Sequence, residues 1–210
     1  MSVIVAISTA PGNSGIGIVR MSGKECFEIL DKIFMPKTKN KTGEIKGYTI
    51  KYGYVHDLNN KEIIDEVLVS YFKEPKSYTT ENMCEINCHG GTVVLKKILE
   101  QCIKAGARMA EAGEFTKLAF LNGRIDLSQA ESIIDLINSK TEKEAKASIK
   151  GLEGELSIKI NQVREKILDL MADIEVNIDY PEYDVPEISY SKEKTVLENI
   201  KGELEKLEKS

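Results

Sequence analysis

The sequence lacks several features that would place it directly in a class of proteins. It has no long uncharged apolar run, and no basic region followed by an apolar one at its N-terminus, so neither a membrane span nor a secretory leader is expected. The formal net charge of -5 offers no overall attraction to phosphate backbones, so nucleic acid would have to meet a local basic patch or a partner protein. We expect a cytoplasmic globular protein, long enough at 210 residues for one or two domains.

Disulfide and metal patterns are also missing. The four cysteines form no Cys-x-x-Cys module, which suits a reducing compartment: Cys26, Cys84, Cys88 and Cys102. The segment "CEINCH" looks like a metal site, but on a strand Cys84 and Cys88 share one face while His89 points to the other. His56 is the only other imidazole. We therefore expect no metal site and interpret the cysteines as small apolar core residues.

The glycine-rich opening "STAPGNSGIGIVRMSG" is not a nucleotide loop. A P-loop needs Lys followed by Ser or Thr after its last glycine, and here Gly17 is followed by Ile18 and Val19. In the dinucleotide fingerprint a third glycine is required, and Arg20 stands in its place. We expect no GTP binding by this chain, and interpret the glycines as a tight turn between two strands, with Arg20 projecting from the second.

Periodicity predicts an α+β chain whose first half is rich in strands. The strands are expected at 3–7, 16–22 and 83–89, with a hairpin over 48–72 that turns at Asn59 and Asn60. Helices are expected at 23–34 and 90–106, and a polar lysine-rich loop at 36–47.

The second half is almost entirely helix-forming. Two capping boxes predict helix starts, Ser128 with Glu131 and Thr141 with Glu144. Apolar residues three or four apart over 149–174 predict one helix about 50 Å long. An exposed acidic connection over 179–190 precedes a last helix, which reaches the final residue without a cap. We expect a fragment whose missing part supplies the other helices of a bundle.

Four motifs taken together resemble one family. They are "AISTAPGNSGIGIVRMSG", "ENMCEINCHGG", "GEFTKLAFLNGRIDLSQAESIIDLI" and "VNIDYPEYD". In this order they are similar to the N-terminal part of the tRNA modification GTPases called MnmE or TrmE, over essentially the whole chain. Ala112 and Leu118 depart from the family pattern, where proline and arginine are usual, and this affects local rigidity and surface charge more than ligand binding.

The resemblance implies an N-terminal folate-binding and dimerisation domain over 1–122 and the first part of a helical domain over 123–210. The first domain is then a mixed β-sheet with helices, similar to the folate domain of aminomethyltransferases. The GTPase domain, with its GTP, magnesium and potassium, is absent from the chain. The parent enzyme modifies the wobble uridine of tRNA as a homodimer, together with a flavin-containing partner of the MnmG/GidA type.

The resemblance also implies that a reduced folate, 5-formyltetrahydrofolate or 5,10-methylenetetrahydrofolate, is bound by Arg20, Glu85 and Arg124, with no catalytic residue assigned. A carboxylate can accept the paired N–H groups of a pterin, and guanidinium groups suit its carbonyl and the glutamate tail. Gly15, Gly17, Gly90 and Gly91 would let the backbone approach the flat ring.

Other interpretations of the same residues stay open. An arginine and a glutamate on neighbouring strands often form a surface ion pair and nothing more. Gly113, Asn122 and Gly123 are better interpreted as helix caps than as ligand contacts. Two rival functions also remain: a free-standing folate-dependent aminomethyl transferase, for which no motif fixes a general base, and a ligand-free dimerisation module.

Overall fold

The structure is a computed structural model that describes residues 2–37, 47–179 and 190–208. Most of the loop expected over 36–47 and nearly all of the connection expected over 179–190 lie outside these residues. The chain divides into two compact units, Met1–Ile125 and Asp126–Ser210.

The first unit is built on a mixed sheet, which confirms the predicted α+β class. The described residues form seven strands: β1 (Ile4–Ile7), β2 (Ser14–Ser22), β3 (Phe34–Pro36), β4 (Thr49–His56), β5 (Ile63–Phe72), β6 (Met83–Gly90) and β7 (Arg108–Met109). Their order is β3-β4-β5-β6-β2-β1-β7. Only β1 and β7 run parallel; the other neighbours are antiparallel.

One face of this sheet forms the core. Val19, Ile86 and Val69 lie side by side on β2, β6 and β5 and are fully buried. Two helices supply the opposing side chains of the core, α1 (Cys26–Ile33) and α2 (Thr92–Lys104). All four cysteines are free and buried, as predicted. Burying each aliphatic side chain of this size contributes about 1.5–3 kcal/mol, so the core accounts for much of the stability of this unit.

The predicted hairpin is present, and its turn is anchored to α2. The amide of Asn59 donates to the carboxylate of Asp57 in the turn between β4 and β5. Gln101 on α2 is buried, donates to the same carboxylate and accepts from the amide of Leu58. Because both polar ends of Gln101 are satisfied, its burial costs little and the hairpin is fixed against the helix.

The turn expected between the first two strands is shorter than predicted, because Gly15 lies within β2, as Gly17 was expected to do. A Cβ atom on Gly17 would stand 2.8 Å from the side chain of Leu95, and one on Gly90 would meet Ser14, its neighbour across the strands. At Gly17 and Gly90 the protein's own atoms therefore occupy the space that a ligand ring was expected to use, whereas a Cβ atom on Gly15 would meet nothing within 4 Å and one on Gly91 only Val94, at 3.9 Å. Gly12, at φ 137°, lies in the turn itself.

The second unit is helical. Its helices are α4 (Leu127–Asn138), α5 (Glu142–Leu152), α6 (Glu155–Asp179) and α7 (Tyr190–Glu208). The capping box at Thr141 and Glu144 is confirmed. The one expected at Ser128 and Glu131 is wrong: Asp126 caps α4 and pairs with Gln129, because the chain is still extended at Asp126 and turns helical one residue later.

The single helix expected over 149–174 is interrupted. The chain leaves the helix after Leu152 and continues as α6 from Glu155, with Gly154 at φ 76° between them. A left-handed residue ends a helix at little cost only when it is glycine, so Gly154 causes the break that periodicity alone could not show. No helix in the described ranges is long and apolar enough to cross a membrane.

Candidate functional site

The ion pair between Arg20 and Glu85 is the centre of the candidate site. The register of β2 against β6 places the two residues directly opposite each other. Nε and Nη2 of Arg20 both donate to Oε1 of Glu85, at 2.9 and 2.7 Å. The side chains retain 27% and 17% of their exposure, so water screens this pair less than an ordinary surface ion pair.

The loop between β5 and β6, residues 73–82, places Tyr78 beside this pair. The guanidinium carbon of Arg20 lies 5.4 Å from the centre of the Tyr78 ring. The loop is held by Thr79, whose buried hydroxyl lies 2.6 Å from that of Ser22 on β2. Asn82 fixes the end of the loop by donating to the carbonyl of Lys24 and accepting from the amide of Glu74. The position of Tyr78 is therefore set by hydrogen bonds on both sides of it.

Helix α3 (Glu114–Leu121) brings the third side of the site. Gly113, at φ 73°, begins the helix, and Arg108 on β7 clamps its first turn by donating twice to the carboxylate of Glu114. This bond lowers the pKa of Glu114 to about 2, so the clamp stays charged throughout the physiological range. The next two residues face the site: Phe115 lies 5.5 Å from the guanidinium carbon of Arg20, and the hydroxyl of Thr116 lies 2.9 Å from that of Tyr78.

Arg124 follows the end of α3. The helix ends at Asn122, whose side-chain amide donates to the carbonyl of Thr79, and Gly123 takes a left-handed φ of 72°. The guanidinium carbon of Arg124 then lies 4.7 Å from the centre of the Tyr78 ring, and Nη1 donates to the Tyr78 carbonyl at 3.3 Å. Asn122 and Gly123 thus end the helix, as the cap interpretation predicts, and direct Arg124 toward the site.

The site carries an excess of one positive charge. Arg20 and Glu85 neutralise each other, whereas within the described ranges no carboxylate lies within 4 Å of the exposed Arg124 guanidinium. Oε2 of Glu85 and Nη1 of Arg20 have no hydrogen-bond partner among the residues that the structure describes. The arrangement can therefore bind a ligand that combines N–H donors, acceptors and a negative charge.

A shallow cavity lies on the same open face of the sheet. Asn87 is two residues beyond Glu85 on β6, so their side chains share this face. Asn87 lines a cavity of about 320 Å³ together with apolar side chains, among them Ile16, Tyr52 and Leu68. The open face of the sheet is therefore charged at Arg20 and Glu85 and apolar at the cavity beside the hairpin.

His89 also borders this cavity and is paired with Asp65. Its Nδ1 lies 2.7 Å from Oδ1 of Asp65, and its amide donates to the other carboxylate oxygen. The hydrogen bond to Asp65 raises the pKa of His89 above its usual value. Burial lowers the pKa of His56, whose Nδ1 is buried with no partner among the described residues. The described residues contain no group of three His, Cys, Asp or Glu side chains that could hold a metal ion.

Three residues that the resemblance indicates are brought together here, and three further residues lie beside them. Arg20 and Arg124, about a hundred positions apart, lie against the ring of Tyr78, and Glu85 is paired with Arg20. Tyr78, Phe115 and Thr116 were missed. The available signals were the single aromatic residue in the polar segment "KEPKSYTTEN" and the position of "FT" within a motif that carries the resemblance.

Comparison with known proteins gives the same family for both units. Residues 3–124 match the family described as "GTP-binding protein TrmE N-terminus", and residues 127–210 match "MnmE helical domain". The chain is 57% identical to a tRNA modification GTPase MnmE of Acetivibrio thermocellus over 89% of its length and 40% of that protein. It is 51% identical to the MnmE of Alkaliphilus oremlandii over 97% of its length and 44% of that protein. A third relative, from Thermoanaerobacter pseudethanolicus, is 49% identical over 98% of the chain.

The chain thus spans less than half of the length of these relatives, although nearly all of it is matched. Both units are matched in the order in which they occur in the structure. The chain belongs to the family of tRNA modification GTPases called MnmE or TrmE.

Proposed function

We propose that this chain is the reduced-folate-binding and dimerisation part of a cytoplasmic enzyme that modifies the wobble uridine of tRNA. Arg20, Glu85 and Arg124 bind the folate. The observation that carries the proposal is that the guanidinium groups of Arg20 and Arg124 both lie against the ring of Tyr78, while Glu85 is bonded to Arg20. The resemblance implies the ligand class, and the chemistry of the side chains supports it.

The donor set fits a reduced folate. The free Oε2 of Glu85 can accept from the pterin, while the unpaired Nη1 of Arg20 can donate to its carbonyl. Arg124 is exposed and uncompensated within the described residues, so it can receive a carboxylate of the glutamate tail. Both groups of the Arg20–Glu85 pair are already oriented by their mutual bonds, which reduces the entropy lost on binding.

The folate supplies a one-carbon unit when bound. The residues of this chain orient that molecule: the ion pair fixes one end, Arg124 fixes the charged end, and the rings of Tyr78 and Phe115 lie beside the guanidinium of Arg20, which stays partly exposed. No side chain of the site is assigned a proton transfer, and the proposal is restricted to binding.

Calorimetric titration of the 210-residue chain with 5-formyltetrahydrofolate tests the proposal. We expect micromolar affinity, about -8 kcal/mol. Glu85→Ala and Arg124→Ala each remove charge-assisted bonds worth roughly 1.5–3 kcal/mol, so binding should weaken at least tenfold. The matched controls are Glu28→Ala and Lys97→Ala, which change the same charges at exposed positions on α1 and α2. A chain that binds no folate, or site variants that bind as tightly as the controls, would contradict the assignment.

The homodimer is proposed to form through the hairpin of β4 and β5. Ile50, Tyr52 and Leu68 lie on its open face and are 65%, 38% and 48% exposed. β5 is internal to the sheet and β3 pairs with residues 53–55 of β4, so the open face is a better contact than the edges of these strands. Apolar side chains exposed together on one face favour burial against a second copy.

Light scattering distinguishes the dimer from the monomer. Leu68→Lys should give monomers, because it places a charge within the proposed contact. Val93→Lys, which changes a 69% exposed residue on α2, should leave the dimer intact. A monomeric parent chain would exclude this surface, and a Leu68→Lys variant that remains dimeric would move the contact elsewhere.

The activities of the longer protein are proposed from the relatives. They are GTP hydrolysis with magnesium and potassium in a domain that this sequence does not include, and tRNA modification together with a flavin-containing partner of the MnmG/GidA type. The rival transferase predicts that the chain alone consumes 5,10-methylenetetrahydrofolate in the presence of an amine acceptor. We expect binding without turnover, measured by the amount of folate recovered.

A further inference from the structure

The ring of Tyr78 contacts two guanidinium groups. The guanidinium carbon of Arg124 lies 4.7 Å from its centre and that of Arg20 lies 5.4 Å from it. These arginines come from different parts of the unit, one from β2 and the other from the segment after α3. Among the described residues, Tyr78 is the one aromatic side chain whose ring contacts both Arg20 and Arg124.

The ring of Tyr78 contacts two groups of the same charge. Arg20 and Arg124 are both cationic, and Glu85 neutralises only Arg20. The electron-rich face of an aromatic ring attracts a cation, more strongly where water is partly excluded. The ring therefore offers each arginine a favourable contact that a purely aliphatic residue would not provide.

The ring itself is fixed. Its hydroxyl pairs with that of Thr116 at 2.9 Å, and the carbonyl of Tyr78 accepts from Arg124. The next residue, Thr79, is bonded to Ser22 and to Asn122. A ring held on both sides can transmit its own position to flexible arginine side chains, which have several rotatable bonds and little intrinsic preference.

We propose that Tyr78 is a positioning residue of this site: its ring holds the guanidinium groups of Arg20 and Arg124 in the orientation in which they bind an anionic, flat ligand. The identity of that ligand rests on the proposed function. The positions of the two guanidinium groups do not, and they can be measured without any ligand.

The first experiment is NMR of the arginine Nε–Hε groups of the ligand-free chain. The chain has four arginines, and Arg108 and Arg164 serve as internal controls because no ring contact is recorded for either among the described residues. Ring currents should displace the Arg20 and Arg124 signals. In Tyr78→Leu the Arg124 displacement should be lost, and that of Arg20 reduced in part, because Phe115 remains near it. In Tyr78→Phe both displacements should remain.

The second experiment is titration of the same variants with 5-formyltetrahydrofolate. Tyr78→Leu should bind about ten- to thirtyfold more weakly, and Tyr78→Phe within about threefold of the parent. Thr116→Val removes the same hydroxyl bond from the other side and should match Tyr78→Phe. In the Arg124→Ala background, Tyr78→Leu should cost at least threefold less than in the parent, because one of the two groups that it positions is gone.

The outcomes separate the two proposals. Unchanged arginine signals in Tyr78→Leu, or a loss of affinity that is the same with and without Arg124, overturn the positioning role. A parent chain that binds no folate refutes the proposed function, while the arginine signals still decide whether Tyr78 positions the two groups. If Tyr78→Leu does not fold, the arginine displacements of the parent and of Tyr78→Phe decide: equal, large displacements support the role, and undisplaced signals overturn it.

Discussion

The two units of the chain are stabilised in different ways. The sheet unit contains nearly all of the buried apolar side chains, whereas Val163, Leu170 and Ile200 are the ones buried among the described residues of the helical unit. The helical unit relies more on hydrogen bonds, such as those of the capping box of Asp126 and the bond between Asp126 and Ser157. A sheet forms only when strands that are distant in the sequence pair, and this pairing also buries the core side chains. The backbone hydrogen bonds of a helix are made within one segment, so a helix can form before it packs against another element.

Charge separates the units as well. Residues 1–125 contain 17 Lys and Arg against 14 Asp and Glu, a formal charge of +3, whereas residues 126–210 contain 12 against 20, a formal charge of -8. The candidate site lies in the positive unit, and the exposed apolar residues of the helical unit lie on an acidic background. The formal net charge of the whole chain, -5, does not show this difference between the two units.

The largest expected difference is in amide hydrogen exchange. Exchange in the core strands requires the unit to open as a whole, whereas helices with little buried apolar area open locally. We expect amides of β2 and β6 to exchange at least a thousandfold more slowly than those of α6 and α7, measured by mass spectrometry of peptides. Equal protection in the two units would show that the helices are covered by a contact of their own, such as a second copy of the chain.

A core substitution should sharpen the same comparison. Ile86→Ala leaves a cavity in the fully buried face of the sheet and should lower the free energy of unfolding by about 2–5 kcal/mol. Leu170→Ala, the matched change in the helical unit, removes a side chain that is 9% exposed beside few other buried residues and should cost about half as much or less. Urea unfolding followed by circular dichroism measures both. A larger loss for Leu170→Ala would contradict the ranking of the two cores.

The smallest expected effect is the pH dependence that comes from the two histidines. Near neutral pH their protonation affects the sheet unit alone. Both histidines lie in that unit. The pKa of His89 is raised by its hydrogen bond to Asp65, so this pair stabilises the fold below the usual histidine pKa and loses that effect as the pH rises through the folded value. The pKa of His56 is lowered by burial, so its protonation at acidic pH opposes folding.

NMR titration of the imidazole carbons should give a midpoint above about 6.5 for His89 and below about 6.5 for His56. Asp65→Asn should return the His89 midpoint toward its usual value and leave that of His56 unchanged. Coincident midpoints in the parent chain would show that the Asp65 pair does not persist in solution.

Most elements of the sheet unit could be predicted from the sequence because their signals are local, but the short strands β3 and β7 were not predicted. The hairpin and strand β6 follow from alternation and turn residues, and burial of Cys84 and Cys88 follows from strand geometry. The order of the strands could not be predicted, because it depends on pairing between distant segments such as β2 and β6. The start of α4 was misplaced by two residues, since Ser128 and Asp126 both satisfy the capping pattern and only the backbone conformation decides between them.

The same limit applies to the candidate site. The family resemblance indicated Arg20, Glu85 and Arg124, but neither periodicity nor spacing could show that Tyr78 stands between two of them. That contact depends on the path of residues 73–82, which is fixed by bonds to Ser22 and Lys24, at the end of β2 and just after it, and to Asn122 at the end of α3. Gly17 and Gly90 were assigned to a ligand because their real neighbours, Leu95 and Ser14, are remote in sequence.

Long separations in sequence within the candidate site have a kinetic consequence. Arg20 and Glu85 are 65 positions apart, Tyr78 and Arg124 are 46 apart, and Tyr78 and Thr116 are 38 apart. Closing such loops costs entropy before any contact repays it, so these contacts form late in folding, after the local hairpin of β4 and β5. A ligand that needs all of them stabilises the native state but not the transition state for folding. Its binding slows unfolding and leaves the folding rate unchanged, so it prolongs the lifetime of the folded unit rather than assisting its formation.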